Sequence, residues 1–217
     1  MTNECKDRDL LAIEPSIFTG GGFESQQMSS GTEGVIGGTI FSDESGNFIA
    51  AKVQAGMVLC VYTTVPAEAR SYEILSVNSP TSLTVSVLRP ERDGEAVPPP
   101  GEVALKHYIN TFQPQIAEAQ RTLNEKLRQL GEAAGIAPAS YVDSSQLRQA
   151  LAFVVLAGIF TARASNARRD DANWIKAEFY RRQHAAALAR LRIARDIDGD
   201  GFAEHTRTLG NVSLRRV

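Results

Sequence analysis

The stretch Asp196-Ile197-Asp198-Gly199-Asp200-Gly201 places three carboxylates at alternate positions and follows them with a glycine. Oxygen ligands at positions 1, 3 and 5 with glycine at 6 open the loop that binds calcium in helix-loop-helix proteins. Counted from Asp196, position 7 offers the carbonyl of Phe202 and position 9 is Glu204. Position 12, where that loop needs a bidentate glutamate, is Arg207. A cation therefore stands in place of the closing ligand. Two readings follow: an Asp/Gly turn that ends the preceding helix, its carboxylates taking loop N–H groups, or a partial Ca2+ site using Asp196, Asp198 and Asp200.

No other constellation suggests catalysis, and an enzyme is not expected. His107, His184 and His205 lie in three separate regions, none at zinc-ligand spacing from a cysteine or a second histidine. His184, beside Arg181 and Arg182, reads as a solvated surface histidine. The chain has no G-x-S-x-G elbow. The glycine-rich TGGGFES and GGTIFS lack the lysine that would reach a phosphate. Asp43-Glu44, beside Gly46-Asn47, reads as a turn. The basic run Arg163, Arg168, Arg169, Lys176, Arg181, Arg182 is interrupted by Asp170-Asp171 and has little aromatic interleaving. It reads as a solvated or inter-subunit face, with nonspecific phosphate contact to passing DNA the most it would offer nucleic acid.

The elements that carry these residues change character along the chain. An apolar fraction of 43% against 22% charged allows an ordinary packed core. Cys5 and Cys60 are too few for a disulfide framework and read as thiols of a reducing cytoplasm, Cys60 buried. MTNECKDRD shows no signal peptide, and the apolar run 150–162 is too short to span a bilayer. A short helix is expected over Asp7–Ile13, stopped by Pro15. Thr19–Gly38, rich in Gly and Ser, reads as an extended arm or a mobile loop.

From Val35 to His107 the period is two. In TSLTVSVL (81–88), Leu83, Val85 and Val87 face one way. This strand pairs with 72–77 through the turn Asn78-Ser79-Pro80, and 57–62 makes another strand. The segment 90–101, with three successive prolines, is a stiff closing linker. Beyond Thr111 the period is helical: a first helix ended by Gly131 or Gly135, a second begun by Asp143 or Ser144, and a third over 171–195. Trp174, Ile175, Phe179, Leu188 and Leu191 are the third helix's expected buried residues.

The expected fold is α+β: a bundle of about three long helices with an inserted small antiparallel β-sheet or barrel module and an extended C-terminal arm. The expected segments are an N-terminal helix and Gly/Ser-rich arm (1–34), the β module (35–107), the helical bundle (108–195), and the Asp/Gly turn with the arm (196–217).

Charge is polarised along this layout. Residues 1–110 carry 7 Lys/Arg against 14 Asp/Glu, net −7; 111–195 carry 13 against 7, net +6; 196–217 carry 3 against 4, net −1. Opposed halves suit head-to-tail contacts that close into a ring. The tail 205–217 alternates Val212 and Leu214 and ends in Arg215-Arg216. Such a tail can add to a partner's sheet edge.

RDLLAIEPSIF (8–18), VQAGMVLCVY (53–62) with SYEILSVNSPTSLTVSVLRP (71–90), and the turn DIDGDG (196–201) before a short basic tail resemble head–tail connector proteins of tailed bacteriophages, the adaptor or head-completion class. The resemblance implies a structural ring, twelvefold, made in the host cytoplasm and built into the virion neck. Its partners would be other copies of itself, the portal protein and a tail-side connector or terminator protein, with no membrane. It also implies that the C-terminal arm, here Leu209, Val212, Leu214, Arg215 and Arg216, docks on the portal. The alternative is a calcium-dependent binding or adhesion module using the loop 196–204.

Overall fold

The computed structural model describes residues 5–19, 25–63, 68–133, 144–164, 171–195 and 205–208. The chain divides into two compact units: Lys6–Gln113, and Pro114–Val217 together with Met1–Cys5.

The first unit holds helices α1 (Asp7–Ile13) and α2 (Ser16–Thr19) and strands β1 (Gln26–Gly37), β2 (Ile40–Ser42), β3 (Val58–Tyr62), β4 (Ala69–Ser79), β5 (Ser82–Ser86) and β6 (Glu102–Thr111). The six strands form a closed antiparallel barrel in the order β1-β2-β5-β4-β3-β6. Alternation along each strand fills the lumen. Ile36, Phe41, Leu59, Val61, Tyr72, Ile74, Leu83, Val85, Leu105 and Ile109 make one buried cluster, extended by Phe48, Val53 and Met57 from the segment between β2 and β3.

Strand β3 is buried on both faces. Leu59 and Val61 belong to the lumen cluster, while Val58 and Cys60, of opposite parity, are also buried. Helices α1 and α2 pack on β3, and α2 also on β4, which explains the second covered face. Leu10, Leu11, Ile17 and Phe18 supply the apolar side of that cover, with Phe18 edge-on to Phe112 at 5.3 Å.

The second unit holds α3 (Gln113–Ala133, whose first residue belongs to the barrel unit), α4 (Ser144–Arg163), α5 (Ala172–Arg190), β7 (Arg192–Arg195) and β8 (His205–Thr208). Helix α5 starts at the N-cap Asp171, whose Oδ1 accepts from the N–H groups of Asn173 at 2.8 Å and Trp174 at 3.2 Å. It packs antiparallel on α4. Tyr180 stacks on Phe160 (5.7 Å) and on Phe153 (6.2 Å), with Ala177 buried on the same side. No described helix is long and apolar enough to cross a membrane.

The expected fold class is overturned. The chain is not a bundle of three long helices interrupted by a small sheet. Its β part is a closed six-stranded barrel that forms a unit of its own, and among the described residues the close packing between long helices is that of α4 on α5. The Gly/Ser-rich stretch is not an arm: residues 26–37 are β1, the strand that closes the barrel against β6. The last helix ends at Arg190 rather than 195, because Leu191 leaves helical geometry at ψ 122°. The chain then forms β7, and β8 pairs back on it, Arg195 opposite His205, so residues 205–208 do not extend away as an arm. The burial phase of α5 also differs. Ile175 and Phe179 are 55% and 52% exposed, because Ala177 and Tyr180 face α4 instead.

Candidate functional site

Lys6-Asp7-Arg8-Asp9 looks like a solvated terminus, yet each residue is fastened within the barrel unit. Lys6 Nζ donates to the carbonyl of Ala55 at 3.1 Å. Asp7 is fully buried: its Oδ2 accepts from Thr111 Oγ1 at 2.6 Å and its Oδ1 from the N–H of Phe112 at 2.8 Å. Arg8 Nη2 donates to the carbonyl of Arg89 at 2.7 Å. Asp9 accepts from the N–H of Lys6 at 2.7 Å and pairs with Arg92.

At the centre of this clip is Glu73, an outward residue of β4 that α1 seals to 1% exposure. Arg89 Nε lies 2.6 Å from its Oε1, which also accepts the Arg89 N–H at 3.0 Å. Arg8 Nε lies 2.7 Å from Oε2, close enough for an ion pair but not aligned as a hydrogen bond. A buried carboxylate between two guanidiniums offsets its desolvation by charge and fixes one geometry. Burial raises the carboxyl of Asp7 from 3.8 to about 6, against the lowering effect of the bonds from Thr111 and Phe112.

The lumen contains a second polar pair. His107 shares the inward parity of Leu105 and Ile109 on β6, and Asp43 follows β2; both are sealed from solvent. His107 Nε2 lies 3.6 Å from Asp43 Oδ2, and the rings of Phe41 and Phe48 flank the imidazole at 4.8 and 6.4 Å. Asp43 Oδ1 is satisfied by Ser45, through N–H at 2.8 Å and Oγ at 2.7 Å. No hydrogen bond of sound geometry reaches Asp43 Oδ2 or either ring nitrogen of His107. Gly31, opposite His107 in the register, makes room for the pair: a Cβ there would stand 2.2 Å from Oδ2 and 2.5 Å from Cε1. Burial holds the imidazole below its ordinary 6.5, against the pull of the Asp43 carboxylate. The pair is a polar inclusion in an apolar core, closed to substrate. Asp43 does make the expected turn, but its role facing His107 went unread. The signal was present: His107 continues the period-two apolar row Leu105, His107, Ile109.

The remaining sites fall as follows. His184 is half-buried with Nδ1 2.9 Å from the carbonyl of Ala150, so it is part of the α4–α5 contact rather than a solvated side chain. The basic run does not form one phosphate-facing row. Lys176 lies over the ring of Phe160 at 4.8 Å, and Arg181 lies over Trp174 at 5.0 Å and donates to Thr161. Arg182 is exposed, and Arg168 and Arg169 are outside the described residues. Cys5 and Cys60 are both buried and form no disulfide, and burial raises the Cys60 thiol. Asp196, Asp198 and Asp200, and the tail residues Leu209, Val212, Leu214, Arg215 and Arg216, lie outside the described residues. The loop 196–204 is flanked by the paired strands β7 and β8, not by two helices. Among the described residues no group of three His, Cys, Asp or Glu side chains is placed to hold a metal ion.

Compared with protein-family models, curated proteins and solved structures, the chain matches none.

Proposed function

We propose that this chain is a structural, non-enzymatic connector of a tailed-phage virion: one subunit of a ring, twelvefold as the resemblance implies, that joins the portal to the tail-side proteins at the neck. The observation that carries this reading is the opposition of charge between its two compact units. The barrel unit 6–113 has 7 Lys/Arg against 13 Asp/Glu, net −6. The rest of the chain has 16 against 12, net +4. A ring needs one heterologous contact per subunit, in which unlike surfaces of the same chain meet. Opposite net charge on two units favours that pairing over like-with-like contact.

The portal contact is assigned to 209–217, where Leu209, Val212 and Leu214 would meet apolar sites on the portal and Arg215-Arg216 an acidic one. The test is co-sedimentation of the purified chain with the portal protein of the same phage. Full-length protein is expected to travel with the portal, and a version ending at Thr208 to stay behind. A full-length chain that leaves the portal unbound at all soluble concentrations overturns the connector reading.

A further inference from the structure

Among the described residues both units expose large apolar side chains; on the barrel Ile49, Val87 and Val97 are exposed besides Val35, Ile40 and Val103. On α5, Ile175 and Phe179 stand one turn apart with 55% and 52% of their surfaces in solvent, and Arg182 continues the same stripe. On the barrel, Val35, Ile40 and Val103 are 38%, 41% and 72% exposed.

These three valine and isoleucine side chains come from adjacent strands at one end of the barrel. Gly37 pairs with Ile40 across β1 and β2, and Ile36 pairs with Glu102 across β1 and β6. A Cβ on Gly37 or Gly38 would meet nothing within 4 Å, so the surface is open at both glycines beside Ile40. The rim is also strained. Ala104 holds φ +52°, a left-handed conformation disfavoured for a residue with a Cβ, and β1 and β6 shift register twice beside it. That irregularity leaves Val103 the most exposed large apolar side chain among the described residues. Strain maintained at Ala104, next to the exposed Val103, points to a use for this part of the rim.

We infer that the two patches are halves of one contact between copies of this chain: the α5 stripe Ile175, Phe179, Arg182 of one copy lies on the rim Val35, Ile40, Val103 of the next. The occupant is a second copy because the charges match. The stripe belongs to the unit of net +4 and carries Arg182; the rim belongs to the unit of net −6 and is bordered by exposed Glu33, two residues before Val35 on the same face of β1. Each copy has one stripe and one rim, so the contact is heterologous and propagates until it closes. This inference rests on the ring reading and names the surfaces that would build the ring.

The test is sedimentation velocity of four full-length samples: wild type, Phe179→Glu, Val103→Glu, and the two variants mixed. Wild type is expected to assemble. Each variant alone is expected to lose association by more than about tenfold, the effect of about 1.4 kcal/mol at an interface. Mixed, they are expected to form a dimer and stop, since the Phe179→Glu copy keeps a good rim and the Val103→Glu copy a good stripe. That rescue also shows that both variants are folded. Variants that assemble like wild type overturn the contact while leaving a ring through other surfaces intact. A mixture that stays monomeric while wild type assembles overturns the pairing of these two patches. Wild type that is monomeric at its highest soluble concentration overturns self-association through them. Portal co-sedimentation judges the connector reading separately.

Discussion

Replacing Asp7 by Asn should remove a defined part of the protein's pH dependence. The Asp7 carboxyl titrates near 6 in the fold and near 3.8 when unfolded, because burial penalises the ion more than Thr111 and Phe112 favour it. The folded state therefore holds this proton more tightly. The stabilisation is fully present below 3.8 and is lost as pH rises through about 6. The gap corresponds to about 3 kcal/mol, at about 1.4 kcal/mol for each tenfold change in proton affinity. Asparagine keeps an acceptor for the Phe112 N–H and offers an N–H to Thr111 Oγ1, so the packing of α1 is retained. Urea unfolding, followed by near-ultraviolet dichroism of the barrel tyrosines Tyr62, Tyr72 and Tyr108, would be run on both proteins from below 3.8 to above 6. Subtraction cancels the other titrating groups. The difference between the two stabilities should swing by about 3 kcal/mol in favour of the variant as pH rises. A flat difference, or a directly observed Asp7 carboxyl titration at or below 4, would refute the assignment of Asp7 as a desolvated acid.

His107 should act in the opposite sense. Its folded value lies below the ordinary 6.5, so the unfolded chain takes up the proton first and stability falls as pH drops below 6.5; His107→Leu should flatten that loss in the same urea series. Gly31→Ala should destabilise the barrel by about 1–3 kcal/mol or more, since its Cβ would stand 2.2 Å from Asp43 Oδ2. Gly37→Ala, with nothing within 4 Å, should change the midpoint by no more than about 0.5 kcal/mol. Arg8→Ala should lower stability by about 2–3 kcal/mol by leaving the buried Glu73 with Arg89 alone, measured by thermal unfolding at neutral pH.

The strands that were legible are those whose own side chains alternate. In β5, Leu83 and Val85 enter the lumen as their parity requires, and β4 pairs with β5 as expected, although Asn78 and Ser79 belong to β4 and the turn is Pro80-Thr81. Strand β1 was illegible because QQMSSGTEGVIG has little apolar content to alternate. Its glycines serve the barrel by what they omit: Gly31 clears the polar pair, and at Gly34 a Cβ would stand 2.7 Å from the Phe41 ring. Glycine inside a strand is a signal of close approach, but nothing local says what approaches. Closure of β1 on β6 is a pairing between distant parts of the chain, which no window of residues contains. In α5, Ile175, Phe179 and Tyr180 are all apolar-bodied, so the sequence offers two faces. The stacking of Tyr180 on Phe153 and Phe160 decides between them.

The same contacts that fix α1 also shape the outside of the barrel unit. Of its seven cations, Arg8 and Arg89 are turned onto buried Glu73, Arg92 onto Asp9, Arg70 onto Glu68 and Glu102, and Lys6 onto a backbone carbonyl. Glu33, Glu44, Glu91, Asp93 and Glu95 remain exposed. Five of the seven cations are engaged in holding the fold, Lys52 and Lys106 are exposed, and the surplus of acid faces outward. A surface of one sign repels its own kind and favours partners of the opposite sign. In the contact proposed above, the closed, clipped barrel would present its rim already ordered, leaving less conformational entropy to remove on docking. One distribution of charge would thus serve both the rigidity of the unit and the association proposed between copies: bases engaged in fastening the fold, acids left outside.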